Sequence, residues 1–159
     1  MRARVGALGY RVALLLLRAW WVVGRTRSSG VRCVIRHGDD VLLVRHSYGD
    51  CRWMLPGGRV RRGEEPAATA AREMAQELGV ACARWTVTGC HGARPAYRRS
   101  SREESFRRHS TWYLAGEAPH RDVRPRAMEI EDARWFPRQA LPPDRSDALD
   151  EAVARGWLG

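Results

Sequence analysis

Arg72, Glu73, Gln76 and Glu77 fall close together in a stretch, Pro66 to Leu78, whose composition reads as a helix. At about 100° per residue, Glu73, Gln76 and Glu77 stand at i, i+3 and i+4 and project from one side. Thr69 and Arg72 share that side, while Ala67, Ala71, Met74 and Leu78 form a narrow stripe expected to face a sheet. Carboxylates so close repel one another unless a cation lies between them, and hard divalent cations prefer oxygen ligands. Gly57 and Gly58 lie just upstream, where a glycine-rich loop lets backbone groups approach a metal-bound phosphate. A divalent ion that neutralises phosphate oxygens and activates a water is what hydrolysis of a diphosphate requires. Glu73 and Glu77 alone, however, are better explained as part of a solvated helix face with ordinary i,i+4 pairing.

Several elements must position these residues. Val31–Arg36 and Val41–Arg45 read as strands joined by the Gly-Asp-Asp turn at 38–40, and the run Val41-Leu42-Leu43-Val44 suggests burial on both faces. Pro66 suits the first helical turn, Glu64 and Glu65 suit its positive end, and Gly79 is a stop. Alternation of Trp85, Val87 and Gly89 with Arg84, Thr86 and Thr88 predicts a half-buried strand. Residues 92–109 are Arg-rich and expected to form an exposed loop, with strands to follow near Ser110–Ala115 and Ala133–Phe136. A last helix is expected at Asp147–Arg155, after Pro142-Pro143. This order lacks a regular βαβ repeat and predicts an α/β fold with a mixed sheet flanked by helices.

The chain has 159 residues, enough for one domain with a continuous core. It is 44% hydrophobic and 29% charged, which excludes a disordered or fibrous chain. Its net charge of +10 comes from arginine alone, since lysine is absent. Such a charge is either a solvated basic surface or an attraction to polyanions such as nucleotides, RNA or acidic lipid head groups. Cys33, Cys51, Cys82 and Cys90 show neither zinc-ligand spacing nor a need for disulfides, so reduced thiols in a cytoplasmic protein are expected. Residues 12–23 are apolar apart from Arg18 and too short to span a bilayer. They are read as a helix packed on the domain, as one lying in a membrane interface, a peripheral contact anchored by Trp20, Trp21 and the flanking arginines, or as an uncleaved signal anchor. The expected division is a helix and linker at 1–30 and a main domain at 31–159.

The stretch Gly58–Val80 resembles the signature of the Nudix hydrolase family, GX5EX7REUXEEXGU with U aliphatic. Gly58, Glu64, Arg72, Glu73, Met74, Glu77, Gly79 and Val80 match it, and Trp53–Gly57 resembles the usual lead-in. The resemblance implies an α/β/α sandwich and a Mg2+- or Mn2+-dependent enzyme acting on nucleoside diphosphates linked to another moiety. It implies that Glu73 and Glu77 are metal ligands, with Glu73 also orienting the attacking water and Arg72 holding Glu73. Gly57 would lend a carbonyl to the metal, and Glu64 and Gly79 would be structural, Glu64 by bracing the loop against Arg72. A late acidic residue usually completes the set; Glu129 is favoured over Glu131 and Asp132.

Gln76 departs from the pattern, which has glutamate there. A carboxamide oxygen can still coordinate, but the site loses a negative charge. The outcomes left open are weaker metal binding, a site completed by another acid, and a nucleotide-binding domain without catalysis. On the substrate side, Gly58 with Arg59, Arg61 and Arg62 could meet phosphates, and Tyr48, Trp53, Tyr97 or Trp112 could stack on a base, although aromatics on strands are more often core. His46, His91 and His109 show no spacing that suggests nucleophilic catalysis. The expected partner is a small nucleotide-like diphosphate, with an RNA 5′ end as the alternative.

Overall fold

Val31, Cys33 and Ile35 alternate with Arg32, Val34 and Arg36, giving the first strand an inward row on each face. The computed structural model describes residues 28–47, 51–93, 109–126 and 129–159. The segment 1–27, with its expected helix at 12–23, lies outside the described residues, as do Tyr48, Tyr97 and the arginines at 94–108. In chain order the elements are β1 (Ser28–His37), β2 (Asp40–His46), β3 (Gly57–Arg59) and α1 (Pro66–Leu78), then β4 (Thr86–Ala93), β5 (His109–Glu117), β6 (Ile130–Pro137) and α2 (Asp147–Ala154). The first strand therefore begins inside the expected linker, because Ser28, Ser29 and Gly30 pair with His109, Ser110 and Thr111.

Among the described residues six strands form one mixed sheet in the order β4-β5-β1-β2-β6, with β3 beside β1. Only β1 and β5 run parallel; the other pairs are antiparallel. β1 and β2 pair at Arg36↔Val41 and His37↔Asp40, next to their turn. Beyond it Met54 to Arg59 is threaded between them: Val44 exchanges backbone hydrogen bonds with Met54, Cys33 N donates to the Pro56 carbonyl at 2.7 Å, and Gly58 pairs with Val31. This wedge delivers the glycine-rich loop to the mouth of the site.

Val41, Leu42, Leu43 and Val44 are all fully buried, as expected for a strand covered on both faces. Leu42 and Val44 join Val31, Cys33, Ile35, Ala70, Met74 and Leu78 beneath α1. Val41 and Leu43 join Val34, Trp53, Leu55, Tyr113, Leu149 and Ala152 beneath α2. Each such aliphatic side chain contributes about 1.5–3 kcal/mol by leaving water. The α/β/α layering follows.

The sheet-facing stripe of α1 differs from the expected one. Thr69, Ala70, Met74 and Leu78 are buried, whereas Ala71 is exposed. Thr69 tolerates burial because its hydroxyl donates to the Glu65 carbonyl at 3.2 Å. This turn of the helix carries Glu73 and Glu77, neighbours of Thr69 on the helical wheel, to the margin of the buried face rather than to the side opposite it.

The alternation expected in β4 also fails, since Val87 is 50% exposed. Val87 pairs with Leu114 and Gly89 with the next residue, Tyr113, so a bulge between them shifts the pattern on this edge strand. Gly89 then accommodates the Trp157 indole, which a Cβ there would overlap. Residues 92, 93 and 109, expected in a loop, are strand.

Candidate active site

Glu73 and Glu77 owe their position to where α1 starts and stops. Pro66 occupies its first turn, and Gly79 ends it at φ 66°, with the backbone N–H returning to the Met74 carbonyl. The loop before the helix is tied to its middle by Arg72, whose Nε donates to Glu64 Oε1 and Nη2 to Glu64 Oε2, both at 2.8 Å. Arg72 Nη1 donates to Glu73 Oε1 at 2.6 Å, and Arg61 N donates to Glu64 Oε2 at 3.0 Å. This paired fork holds the Glu64 carboxyl down to about 2, through the Arg72 hydrogen bonds first and the Arg61 backbone second. Gly58 has to lack a side chain here: a Cβ would overlap the Glu73 carboxylate.

Glu77 is held differently. Its Oε2 is buried without a hydrogen-bond partner among the described residues. Burial, followed by the charges of Glu73 and Glu129, pushes its carboxyl up to about 7; Arg32 and Arg72 oppose that rise. Glu129 reaches the same cleft from the end of the β5–β6 connection, which is docked on α1. Arg124 N donates to the Leu78 carbonyl at 2.7 Å and Arg126 N to the Glu77 carbonyl at 2.8 Å. Glu129 N and Ile130 N then both donate to the Arg126 carbonyl at 3.1 Å. On the other side, His46 Nδ1 lies 3.0 Å from the Glu129 carbonyl.

The cleft has a volume of about 530 Å³ and is lined by Arg59, Arg61, Arg62, Arg72, Glu73, Gln76, Glu77, Arg126 and Glu129, with Val60. It thus brings together the two helix carboxylates, the exposed Gln76, Glu129 and the three loop arginines. Gly57 and Gly58 are not among its lining residues; Gly57 lies in the pairing with Arg32 of β1. Trp53 is only 4% exposed, edge-on to Phe136 on the α2 side of the sheet, and is no platform for a base in this cleft. Trp112 packs partly buried against the α1-side core. Arg126 escaped the sequence reading. It stands in an irregular segment and is brought to the cleft by backbone bonds, and its sole signal is its place three residues before Glu129.

Among the described residues no group of three or more His, Cys, Asp or Glu forms a ready-made metal cage. The donor set nevertheless fits a hard cation of the Mg2+ type, which keeps waters and phosphate oxygens and needs only one or two protein carboxylates. The unpartnered, buried Glu77 oxygen beside Glu73 and Glu129 is where such charge would be compensated.

The structure is thus an α/β/α sandwich with carboxylates on the helix that follows a glycine-rich loop, and arginines around them. The chain belongs to the NUDIX domain family, whose pattern matches residues 26–156. It is 38% identical over 90 residues to a Mycobacterium tuberculosis protein named "Putative 8-oxo-dGTP diphosphatase 2", an alignment covering 54% of this chain and 62% of that one. The fold resembles a MutT NUDIX hydrolase from Burkholderia pseudomallei, with a TM-score of 0.69 and 21% identity over 82% of this chain and 98% of that one. It also resembles the NUDIX domain of Shewanella oneidensis NrtR, crystallised with ADP ribose, with a TM-score of 0.63 and 18% identity over 85% and 89% of the two chains. Among the described residues no helix is long and apolar enough to cross a membrane.

Proposed function

We propose that this protein hydrolyses a phosphoanhydride bond in a nucleoside-diphosphate-X type substrate, assisted by Mg2+ or Mn2+. The observation that carries the reading is the convergence of Glu73, Glu77 and Glu129 with arginines in one cleft. Glu73 and Glu77 would hold the cation, with the charge of Glu129 nearby; when bound, the cation neutralises phosphate oxygens and lowers the pKa of water. Arg72 occupies Glu73 Oε1 and fixes that carboxylate, so that Glu73 orients the attacking water and takes its proton on Oε2. Arg59, Arg61 and Arg62 bind phosphate oxygens at the rim and offset the charge that builds up on the leaving group. The name of the mycobacterial relative, a diphosphatase of a nucleoside triphosphate, is in keeping with this chemistry.

The test is turnover of a panel of nucleoside triphosphates, dinucleotides, nucleotide sugars and 5′-triphosphorylated RNA with each metal. Metal-dependent cleavage of at least one is expected; no cleavage of any contradicts the proposal. One observation favours a second reading, a nucleotide-binding domain without catalysis: Gln76 places a neutral carboxamide in the cleft where the family pattern has a carboxylate. Gln76→Glu separates the two. A rise in turnover of about tenfold at limiting metal supports the enzyme, and turnover absent from both forms supports the binding domain.

A further inference from the structure

His46 shows no spacing that suggests nucleophilic catalysis, yet its ring lies against the backbone of a cleft residue. Its Nδ1 is 3.0 Å from the Glu129 carbonyl oxygen. A carbonyl only accepts, so the contact requires the hydrogen on Nδ1. Nδ1 carries that hydrogen in one neutral tautomer and in the imidazolium alike, so the bond persists on both sides of the ring's titration. Ser47 N donates to the same oxygen at the longer distance of 3.3 Å. The His46 ring is the closer of the two donors.

Glu129 stands where regular pairing breaks down. Arg45 pairs with Asp132 but His46 with Ile130, so Glu131 is an extra residue in the ladder. Through this bulge Ile130 and Ala133, three residues apart, both pack into the α1-side core. Glu129 is left just ahead of the strand, held from two directions. Its N–H donates to the Arg126 carbonyl at 3.1 Å, and Arg126 N donates in turn to the Glu77 carbonyl at 2.8 Å. A line of hydrogen bonds thus runs from Glu77 on α1 through Arg126 to Glu129 and ends on β2 at His46. Its two ends carry the cleft carboxylates Glu77 and Glu129, and the charge of one is felt by the other. The link at His46 is made by a side chain, so substitution can cut it without removing a backbone bond.

We propose that His46 is a positioning residue that, by donating from Nδ1 to the Glu129 carbonyl, holds the Glu129 carboxylate in the cleft beside Glu73 and Glu77. The proposal deepens the hydrolase reading of the cleft and rests on it. Without the ring, Glu129 keeps the longer Ser47 bond and the Arg126 bond, and its carboxylate swings over a wider range.

The test uses the full chain and has two readouts. In metal-free protein, amide hydrogen exchange followed by NMR should be about fivefold to tenfold faster at Glu129 and Ile130 in His46→Ala. It should return to near the wild-type rate in His46→Asn, whose side-chain amide donates from about the place of Nδ1. Amides of β1 and α2 should exchange as in wild type in both variants. The second readout is calorimetric titration with Mn2+ in the presence of pyrophosphate. His46→Ala should weaken Mn2+ about fivefold when Glu129 is present and less than about 1.5-fold in a Glu129→Gln background, because the ring acts through that carboxylate. His46→Asn should bind Mn2+ nearly as wild type does. Unchanged exchange in His46→Ala, no rescue by asparagine, or equal weakening of Mn2+ with and without the Glu129 carboxylate overturns the proposal. Failure of the metal-assisted reading is seen separately, as no Mn2+ binding by wild type, and the exchange rates then decide the role of His46.

Discussion

The two faces of the sheet are finished differently. On the α2 side, polar groups close on each other: Ser146 Oγ caps the helix by accepting from Leu149 N, and the Tyr113 hydroxyl donates to the Ala148 carbonyl. Trp53 is enclosed by Phe136 and by the guanidinium groups of Arg45 and Arg134. Arg45, Arg52 and Arg145 find Asp144, Asp147 and Asp150. On the α1 side a carboxylate oxygen of Glu77 is buried without a partner, beside two more glutamates, and four arginines line the cleft unpaired among the described residues. The α2 face leaves Arg45 Nε as its buried unpartnered atom; the α1 face gathers an unpartnered carboxylate oxygen, two further glutamates and four arginines in one cleft. Local dissatisfaction of this kind marks a place where stability has been given up for function.

The difference can be broken from either side. Glu73→Gln removes charge from the unfinished face and should lower turnover by about 10³-fold, because several kcal/mol of transition-state stabilisation pass through that carboxylate. Its urea-unfolding midpoint should stay near that of wild type; a variant that unfolds easily would show that Glu73 serves the fold instead. Leu149→Ala, on the finished face, should do the reverse. It should cost about 2–5 kcal/mol of stability by equilibrium unfolding while leaving kcat of the folded enzyme within about twofold.

A smaller effect sharpens the comparison through pH. The folded Glu77 carboxyl titrates near 7, above its ordinary 4.5. Its favourable contribution is therefore complete below about pH 4.5 and is lost as pH rises through about 7. Metal-free wild type should lose about 1–2 kcal/mol relative to Glu77→Gln between pH 5 and pH 8.5, after allowance for water around a half-buried group. Parallel pH profiles for the two proteins would contradict the strain assigned to this face.

What could be read in the sequence was what local rules decide. Pro66 and Gly79 bound the helix, Val41 to Val44 are buried on both sides, and the spacing of Glu73 and Glu77 stacks them on successive turns of the helix. What could not be read depended on tertiary partners. The helix is turned toward Thr69 because a hydroxyl can satisfy itself on its own helix, so the carboxylates border the core where a polar-face reading put them opposite it. Val87 is exposed because β4 bulges at an edge. Arg126 joins the site because a loop's N–H groups find the last carbonyls of α1, a pairing with no side-chain signature.

The most direct measurement is calorimetric titration of the protein with Mn2+ near pH 7.5, in the presence and absence of pyrophosphate, beside Glu77→Gln. Saturable binding that strengthens with pyrophosphate and weakens at least tenfold in Glu77→Gln is the predicted result. No binding under either condition, or equal binding by the variant, would contradict the claim that the α1 face is completed by a divalent cation.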